Sequence, residues 1–553
     1  MKLKNFNEQF VIEKYDENGL LNVFDINAPD NFNYAYDVID KIAEFAPDKK
    51  ALLWCNEDEE RTFTYKELSE KSNQVANLLV RKGVKKGDMV LCVLKRHYQI
   101  WLTILALEKV GAVLIPATNQ LMAKDYAYRF KAGNVKFVVA TTDNDVPKHI
   151  TESFAEYGGI AEKFSVKGSV DDWVDFDTEY QKESTVFERI ENKLTDPLLA
   201  FFSSGTTGYP KMVVHDHSYA LAHLITAKHW HCVTDESLHL TISESGWGKF
   251  FWGKIYGEML MGATVFAYDF DRFDADKVLS RIEKYKITSL CCPPTMFRFF
   301  TKDGGLEKYD LSSLVYATTA GEALNPEVFN AFKELTGITL MEGFGQTETV
   351  LSIGNLRGTQ PRIGSMGKPI PLYDVDIVNE DGDVIPTGET GEIVIRIKKD
   401  TPNYGLFEQY YGNPEATAET KRDGLYHTGD TAYKDEDGYY WYVGRTDDVI
   451  KSSGYRIGPF EIESVMMEHP AVFEVAVTGV KHPVRGQVVK ATVVLTKEYK
   501  GKSDDALIKE LQTYVKTNTA PYKYPRIIEF VDELPKTISG KIRRVEIRAK
   551  DNS

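Results

Sequence analysis

The pattern of apolar and polar positions along the chain predicts two kinds of segment, which follow one another in turn. Short continuous apolar runs, MVLCVL (residues 89–94) and AVLIPA (112–117), are typical of buried strands. An amphipathic helix precedes the first run, because Thr64 and Glu67 match a capping box and Gly83 is a suitable stop. This strand–helix rhythm begins near Thr64 and predicts an α/β fold with a largely parallel sheet and helices on its faces.

The pattern changes after about Pro369. Turn signals become dense, and runs such as EIVIRIK and YYWYVG alternate like antiparallel strands. We therefore expect a small β-rich subdomain at about 370–446, which completes a large N-terminal domain at 1–446. Beyond it, a helix beginning near Pro459 and several strands predict a small α+β C-terminal domain at 447–553.

Composition excludes several classes of protein. The chain has 553 residues, of which 42% are hydrophobic and 27% charged, so disorder and fibrous structure are poor interpretations. Its formal net charge is −15, which argues against global binding to nucleic acid or to anionic membranes. A polyanionic ligand would need a local basic site.

The cysteines and the apolar segments of the chain give an expectation for the cellular compartment of the protein. The five cysteines form no CxxC pair, so neither a disulfide framework nor a structural zinc site is expected. The first 19 residues contain no apolar run typical of a secretory signal. The longest apolar stretches, such as residues 100–107, are too short to span a membrane. We expect a soluble cytosolic protein, without a membrane span, in a reducing compartment.

The most informative segment is FFSSGTTGYPKMVVHD (residues 201–216). A predicted strand leads into a loop rich in hydroxyl groups and glycine, whose backbone N–H groups and one lysine could hold triphosphate oxygens. The loop residues are Ser203, Ser204, Gly205, Thr206, Thr207, Gly208 and Lys211. The spacing is not that of a Walker A motif, because Met212 follows the lysine. Taken alone, the segment could equally be a polar strand–turn loop.

This segment resembles the phosphate loop of adenylate-forming enzymes, the superfamily of acyl-CoA synthetases, adenylation domains and luciferases. Four more segments match in the expected order: MEGFGQTET, YHTGD, GRTDDVIKSSGYRIGPFEIE and ELPKTISGKIRR. Together the five segments span residues 203–541, and their residue pattern is most similar to that of medium-chain acyl-CoA synthetases. The resemblance implies that ATP converts a carboxylic acid to acyl-AMP with release of pyrophosphate. The thiol of CoA then forms acyl-CoA and releases AMP.

The resemblance also implies roles for residues of the nucleotide site. Phe344 would stack on adenine, which suits a flat aromatic ring, and Thr347 would contact the α-phosphate. Glu348 would ligate Mg²⁺, a hard cation that prefers oxygen ligands. Asp430 would accept the ribose hydroxyls, with Arg445 assisting. The other implied ATP contacts are Lys211, Gly321, Glu322, Ala323, Glu342, Gly343, Gly345, Gln346 and Arg456.

The resemblance also implies roles for residues of the last two motifs in the two half-reactions, which are formation of acyl-AMP and formation of acyl-CoA. Arg456 would reach the phosphates, and Lys541 would stabilise charge at the α-phosphate and orient the carboxylate. Asp447 would be the hinge about which a mobile C-terminal domain rotates between the half-reactions. Acylation of Lys541 would remove its charge and switch the enzyme off. The implied catalytic residues are Lys211, Thr347, Glu348, Arg456 and Lys541.

The acid and CoA sites are also inferred from the resemblance. Acetyl-CoA synthetases carry a second tryptophan at the position of Gly345, so the glycine should leave room for several methylenes or a ring. Trp247, Phe251 and Trp252 offer apolar walls, and His215 could lie near the acyl carbonyl. We expect a medium-chain or branched fatty acid, with an aryl acid such as benzoate as the alternative. The implied CoA contacts are Gln120, Ser453, Gly454, Tyr455, Arg485, Tyr524 and Arg526.

Three other functions compete with an acyl-CoA synthetase. An acyl-AMP ligase would pass the adenylate to another acceptor, but SGYRIGP is a CoA-type motif. A catalytically dead nucleotide-binding regulator would not need to keep the full set of charged and hydroxyl groups at 211, 347, 348, 430, 445 and 541. A P-loop NTPase is disfavoured by the spacing of the phosphate loop.

Overall fold

The structure, a computed structural model, describes residues 2–203, 210–302, 305–399, 401–452, 455–536 and 542–551. The side chains of Ala155, Glu156 and Arg456 are not described. Eight of the residues named above lie outside the described ranges: Ser204, Gly205, Thr206, Thr207, Gly208, Ser453, Gly454 and Lys541.

The strands follow one another in chain order. They are β1 Val11–Tyr15, β2 Leu21–Ile26, β3 Lys50–Cys55, β4 Glu60–Thr64, β5 Met89–Val93, β6 Val113–Pro116, β7 Val135–Thr141, β8 Glu162–Val166, β9 Val174–Asp175, β10 Pro197–Ser203, β11 Lys211–Asp216, β12 Leu238–Thr241, β13 Thr264–Tyr268, β14 Ser289–Cys291, β15 Tyr316–Thr319, β16 Leu340–Phe344, β17 Ile353–Gly354, β18 Lys368–Pro369, β19 Val375–Val378, β20 Gly391–Arg396, β21 Gln409–Tyr410, β22 Leu425–Lys434, β23 Tyr440–Arg445, β24 Ile450–Ser452, β25 Tyr455–Ile457, β26 Val472–His482, β27 Gly486–Leu495 and β28 Ile527–Phe530.

The α-helices are interspersed with these strands. They are α1 Lys41–Phe45, α2 Tyr65–Arg81, α3 Gln99–Val110, α4 Ala123–Ala132, α5 Val146–Tyr157, α6 Phe176–Glu179, α7 Ser218–Ile225, α8 Gly248–Gly253, α9 Tyr256–Leu260, α10 Ala275–Tyr285, α11 Pro294–Lys302, α12 Pro326–Thr336, α13 Pro414–Thr420, α14 Pro459–Met467, α15 Asp505–Asn518 and α16 Arg544–Asp551. Two π-helical segments, Ala35–Asp40 and Thr226–Trp230, adjoin α1 and α7. Among the described helices, none combines the length and apolar character that crossing a bilayer requires.

Two large mixed sheets form the body of the chain. One has eight strands in the order β21-β11-β10-β6-β5-β7-β8-β9, and the other has nine in the order β18-β17-β16-β15-β14-β12-β13-β3-β4. Their central strands are parallel. Antiparallel strands lie at both edges of the nine-stranded sheet and at the β21 edge of the eight-stranded sheet. The α/β prediction is confirmed. The apolar run of β5 is buried at all five positions, as expected for a strand covered on both faces.

Helix α2 begins where the sequence predicts. The Thr64 hydroxyl accepts from the Glu67 N–H at 3.2 Å, and the Glu67 carboxylate accepts from the Thr64 N–H at 2.8 Å. This reciprocal cap satisfies two N–H groups that the first turn would otherwise leave unpaired. The helix ends at Arg81, just before Gly83 with its left-handed φ of +94°.

Charged side chains join the two large sheets where parallel strands end. His97, which follows β5, lies 2.5 Å from Asp269 after β13 and 3.0 Å from Asp143 after β7. Lys95 Nζ is 2.8 Å from the same Asp143 carboxylate. Burial alone would lower the pKa of His97, but the two carboxylates outweigh it and raise the pKa. This junction fixes how the carboxyl ends of the two sheets face each other.

Two smaller sheets complete the chain. Strands β19-β20-β22-β23 form an antiparallel sheet, as the alternating pattern predicts. The last sheet has the order β25-β24-β27-β26, with β28 added parallel to β27. Helix α14 starts at Pro459 and buries Ile462 and Met466 against this sheet. The chain passes from the four-stranded to the five-stranded sheet through residues 446–449.

Candidate active site

A buried network of hydrogen bonds surrounds Asp430 on β22. The Gln346 side chain donates to Asp430 Oδ2 at 2.5 Å, and the Tyr442 hydroxyl donates to Oδ1 at 3.0 Å. Arg445 Nη1 lies 3.2 Å from Oδ2, because Asp430 and Arg445 are direct partners in the β22–β23 register. The structure therefore brings together Gln346, Asp430 and Arg445, which the sequence analysis selected from separate motifs.

An aromatic face lies beside this network. Phe344 ends β16 and is half-buried, with its ring centroid 6.4 Å from that of Tyr442. Since the Tyr442 hydroxyl is bonded to Asp430, the ring and the carboxylate belong to one continuous surface. A purine against Phe344 would carry its ribose toward a carboxylate that accepts hydrogen bonds.

A second cluster centres on Glu348, four residues beyond Phe344. The Tyr410 hydroxyl donates to Glu348 Oε1 at 2.9 Å, and Lys211 Nζ lies 4.7 Å from the centre of the Tyr410 ring. Burial raises the pKa of Glu348, although the Tyr410 hydrogen bond and the charges of Arg445 and Lys211 act in the opposite direction. The loop at 344–348 therefore lies between the Phe344 ring, the Asp430 carboxylate that could bind a ribose, and the Glu348 carboxylate.

The phosphate-loop segment is anchored by a hairpin. Ser203 ends β10 and pairs with Lys211 at the start of β11, and the Ser203 hydroxyl lies 3.4 Å from the Lys211 carbonyl. The predicted contacts at 204–208 lie outside the described residues. Lys211 is thus placed at the same end of the hairpin as the loop and next to the Glu348 cluster.

Glu342 lies in the interior rather than on an open surface. Its side chain is 4% exposed, and Oε1 accepts from the Leu324 N–H at 3.0 Å. Leu324 follows three predicted ATP contacts, Gly321, Glu322 and Ala323. The hydrogen bond from Leu324 to Glu342 therefore anchors the loop that contains them. The Thr295 hydroxyl donates to Glu322 and fixes its other side. Burial raises the pKa of Glu342 to about 8.

Glu342→Gln should change the pH dependence of stability. The pKa of Glu342 is about 8 in the folded protein and near 4.5 when exposed, so its contribution is greatest at low pH and is lost as pH rises toward 8. The thermal midpoint of wild type relative to Glu342→Gln should therefore fall between about pH 5 and pH 8. Scanning both proteins at several pH values measures this difference, and parallel curves would contradict the assignment.

Gly345 touches a tryptophan rather than open space. A Cβ atom at Gly345 would lie 2.4 Å from Trp252 Cη2 and 2.5 Å from the Val350 carbonyl oxygen. Phe251 is fully buried and packs on Phe201 at 5.2 Å, while Trp247 Nε1 donates to Glu244 at 3.1 Å. The Trp252 indole, one of the predicted apolar walls, therefore fills the space directly beside Gly345.

His215 is a positioning group in this arrangement. Its Nε2 donates to the Thr347 carbonyl at 2.7 Å, and its ring packs 4.1 Å from Tyr219. Burial lowers the pKa of His215 to about 3, so the ring is neutral at physiological pH. It therefore fixes the backbone of the 344–348 loop through a hydrogen bond. The remaining histidines of this region are buried core residues: His217, His223, His229 and His231.

Three buried groups lie close enough to suggest a metal site. His231, His239 and Glu258 place their ligand atoms within 4.8 Å of one another. However, His231 Nδ1 is hydrogen-bonded to Glu258 at 2.7 Å, and both His239 ring nitrogens bond to hydroxyl groups. Four of the six nitrogen and oxygen atoms of these side chains thus have partners, whereas His231 Nε2 and Glu258 Oε2 have none among the described residues.

The predicted CoA contacts lie on two parts of the chain. Gln120 is exposed after β6, whereas Arg485, Tyr524 and Arg526 belong to the last sheet and its loops. Arg526 Nη1 donates to the Tyr524 hydroxyl at 2.8 Å. Tyr455 is 50% exposed and its ring stacks on that of Tyr522, with centroids 4.1 Å apart. Sequence reasoning missed Tyr522, although its position beside Tyr524 was visible.

The predicted hinge residue sits among opposite charges. Asp447 lies 3.8 Å from Arg445 Nε and 3.9 Å from Arg548 Nη2 of α16, and Asp448 pairs with the same Arg548. The backbone of Arg456 pairs with Lys451 in the β24–β25 hairpin that follows. Lys541 lies outside the described residues.

Comparison with known proteins identifies the family. The family model "AMP-binding enzyme" matches residues 39–411, and "AMP-binding enzyme C-terminal domain" matches residues 461–541. The chain is 40% identical to acyl-coenzyme A synthetase ACSM3, mitochondrial, of Pongo abelii, covering 96% of this chain and 91% of that protein. It is 41% identical to acyl-coenzyme A synthetase ACSM5, mitochondrial, of Homo sapiens, covering 95% and 91%.

Solved structures agree with these relatives. The anthranilate CoA ligase AuaEII, in complex with anthranoyl-AMP, superposes with a TM-score of 0.87 at 28% identity, covering 95% of this chain and 98% of that one. A benzoate CoA ligase from Burkholderia xenovorans LB400 gives a TM-score of 0.82 at 26% identity, covering 94% and 100%.

The relatives also correct one expectation and establish the family. The expected cytosolic location is wrong, because the full-length relatives are named mitochondrial. The matched segments, the relatives and the superposed structures agree. The chain belongs to the AMP-binding enzyme family and is an AMP-forming acyl-CoA synthetase, which uses ATP and CoA to activate a carboxylic acid.

Proposed function

We propose that the enzyme activates a medium-chain or branched fatty acid beside the 344–348 loop, with the Trp252 indole as one wall of the acid site. The observation that carries the proposal is the loop itself, which joins Phe344, the Asp430 network and the Glu348 cluster within five residues. Adenine on Phe344 and ribose on Asp430 would leave the α-phosphate near Thr347. The acid would enter on the side of the loop where Gly345 meets Trp252.

The first half-reaction would proceed by in-line attack. One carboxylate oxygen attacks the α-phosphorus, and the bond to the bridging oxygen of pyrophosphate breaks. Lys541 and Lys211 would stabilise the growing negative charge, and Thr347 would hold the phosphate oxygens in position. His215 fixes the Thr347 backbone, which limits the movement of this group during attack.

Glu348 is suited to hold the Mg²⁺ that accompanies ATP. Its carboxylate supplies hard oxygen donors, and Lys211 on the neighbouring hairpin points to phosphate binding at the same place. Burial raises the pKa of Glu348, and a nearby cation would favour its ionised form. When bound, the ion would neutralise phosphate charge and thereby assist departure of pyrophosphate.

The second half-reaction would need a different set of groups around the same carbonyl. The CoA sulfur attacks the acyl carbonyl carbon, and AMP leaves with the electron pair of the broken C–O bond. We propose that the C-terminal domain rotates about Asp447 to exchange Lys541 for the CoA-binding residues. Support comes from the position of Asp447, which lies in the segment 446–449 that connects the four-stranded sheet to the five-stranded sheet.

A second substrate class deserves its own test. The superposed anthranilate and benzoate CoA ligases act on flat aromatic acids, as their names state. The Trp252 indole beside Gly345 provides a flat wall against which an aromatic ring could pack. Benzoate is therefore the alternative acid.

Trp252→Leu should shift the preference toward longer acids. The smaller side chain vacates space beside Gly345, and each additional buried methylene is worth about 0.8 kcal/mol, or roughly fourfold in kcat/KM. We expect the ratio of kcat/KM for decanoate to that for butyrate to rise by about tenfold or more. Phe473→Leu, on β26, is a matched aromatic-to-leucine control. An unchanged ratio would remove Trp252 from the acid site.

The proposed function is tested by pyrophosphate release with acids from acetate to dodecanoate and with benzoate, each with and without CoA. Medium-chain or branched acids should give the highest kcat/KM, with AMP and acyl-CoA as products. Highest activity with benzoate would favour the aryl alternative, and highest activity with acetate would overturn both. Omission of Mg²⁺ should abolish release, and Glu348→Gln should raise the Mg²⁺ concentration needed for half-maximal rate.

A further inference from the structure

The two faces of the last sheet are covered differently. The side chains that follow share one face of the β27–β28 pair, because alternate residues of a strand point the same way: Lys490, Thr492, Ile527 and Glu529. The opposite face packs against α14 and α15 in a continuous apolar core. The first face is partly covered by the short helix α16, whose Ile547 packs with Ala476 and Leu534. A helix of eight residues leaves space beside it on this face.

A cavity of about 410 Å³ lies between this sheet face and α16. Its apolar wall includes Ile527, Val531 and Ile547, and its charged wall includes Glu533 and Asp551. The volume lies within the range of small-molecule sites, about 300–1,000 Å³. Among the described residues that line the cavity, none is a nucleotide, acid or CoA contact inferred above. The cavity is therefore separate from the candidate active site.

Lys490 forms a fixed part of the cavity wall. Its ammonium group lies 2.6 Å from Glu529 and also pairs with Asp551 Oδ1. Burial alone would lower the pKa of Lys490, but the hydrogen bonds to Asp551 and Glu529 outweigh it and raise the pKa. Lys490 therefore stays charged at neutral pH and holds one oxygen of each carboxylate.

Two buried polar atoms at the cavity lack a hydrogen-bond partner in the part of the chain that the structure describes. One is the hydroxyl of Thr492, a residue that is 4% exposed, and the other is Asp551 Oδ2. Buried polar atoms without partners are costly in a folded protein. Because an ionised carboxylate can only accept hydrogen bonds, the partner that Asp551 Oδ2 lacks must be a donor.

The charges around the cavity favour a cation. Three carboxylates line it, those of Glu529, Glu533 and Asp551, against the two ammonium groups of Lys490 and Lys550. One negative charge is therefore in excess, and Glu533 is exposed at the rim. Asp551 is the last described residue of α16, so the partial negative charge at the C-terminal end of this helix adds to the effect.

We propose that this cavity binds a small organic cation in which an ammonium group is joined to a short apolar chain. The ammonium donates to Asp551 Oδ2 and to the Thr492 hydroxyl oxygen, while the chain packs against Val531 and Ile547. Glu533 attracts the cation from the rim. The site belongs to the C-terminal domain alone, and its ligand is independent of the acid that the enzyme activates.

The test measures binding of n-butylamine, a butylammonium ion at neutral pH, to the full-length enzyme without ATP, acid or CoA. The neutral and anionic probes of similar size are 1-butanol and propane-1-sulfonate. Ligand-observed NMR titrations should show saturable binding of butylammonium, with a Kd at least about tenfold lower than that of either other probe. A charged donor to a carboxylate forms one of the stronger hydrogen bonds, which is the reason for this preference.

Thr492→Val removes the unpaired hydroxyl and keeps the shape of the side chain. The Kd for butylammonium should rise by about threefold to tenfold. The thermal midpoint should equal or exceed that of wild type, because the hydroxyl has no partner among the described residues to lose. Thr478→Val is the matched control. Thr478 lies opposite Lys490 in the β26–β27 register and its buried hydroxyl is also unpaired within the described ranges, but it does not line the cavity.

Glu533→Gln is a second variant, at an exposed position where folding is not at risk. Its Kd should rise by about twofold to fivefold, whereas the exposed control Glu498→Gln should keep the wild-type value. Absence of saturable butylammonium binding, or a preference for the alcohol or the sulfonate, would overturn the inference. An affinity unchanged by both Thr492→Val and Glu533→Gln would place the amine elsewhere and overturn it as well. All of these measurements are made without turnover, so their failure would leave the proposed function standing.

Discussion

Lys541→Ala is expected to lower the rate of acyl-AMP formation by about a hundred- to a thousandfold. The reason is that the substitution removes the positive charge that we propose to stabilise the transition state around the α-phosphorus. Thioester formation from supplied acyl-AMP and CoA should remain close to the wild-type rate, because the proposed domain rotation moves Lys541 away during that step. The measurement is pyrophosphate release for the first half-reaction and AMP release from synthetic acyl-AMP for the second.

The control is Lys509→Ala, which makes the same change at an exposed position on α15. Its rates in both half-reactions should match those of wild type. Equal losses in both half-reactions for Lys541→Ala would indicate a structural role. If Lys541 carries the proposed function, stoichiometric acylation of its amine should reproduce the alanine phenotype, because both changes remove the charge.

Asp430→Asn should affect both nucleotide affinity and stability. Asparagine keeps the shape of the side chain but removes the charge that pairs with Arg445 and would accept the ribose hydroxyls. The KM for ATP should rise by about tenfold to a hundredfold, since hydrogen bonds to charged groups are among the stronger ones. Arg445 would be left without this partner and is only partly exposed, so the folded state should lose about 1–3 kcal/mol.

Asp437→Asn is the matched control, because Asp437 forms an ion pair with Arg362 on the exposed turn after β22. This surface pair should contribute less than about 1 kcal/mol and leave the KM for ATP unchanged. Steady-state kinetics and thermal unfolding distinguish the two effects of Asp430→Asn. An unchanged KM with reduced stability would make Asp430 a purely structural residue.

Local signals in the sequence predicted much of the fold. The Thr64–Glu67 capping box gave the start of α2, and the continuous apolar runs gave β5 and β6. The change of texture after Pro369 gave the four-stranded antiparallel sheet. Boundaries shifted by one residue, as with the strand predicted at 112–117 and found at Val113–Pro116. These features depend on short-range chemistry, which is why the sequence contains them.

Contacts between side chains on different strands and helices could not be predicted in the same way. Motif order selected Gln346, Asp430 and Arg445, but it gave no indication of Tyr410 or Tyr442. Those two hydroxyls acquire partners only when distant strands pack: Tyr410 reaches Glu348, which is 62 residues away in the chain. Trp252 was among the predicted walls of the acid site, but its direct contact with Gly345 was missed for a related reason. A glycine in a sequence does not indicate which neighbour fills its space.

The contact between Gly345 and Trp252 restricts the positions at which substrate range can evolve. A larger residue at 345 would collide with the indole and also with the Val350 carbonyl oxygen, a backbone atom that a smaller side chain at 252 does not remove. A smaller residue at 252 creates space rather than a collision. Ancestral or laboratory lineages that accept longer acids should therefore carry changes at 252 and keep glycine at 345.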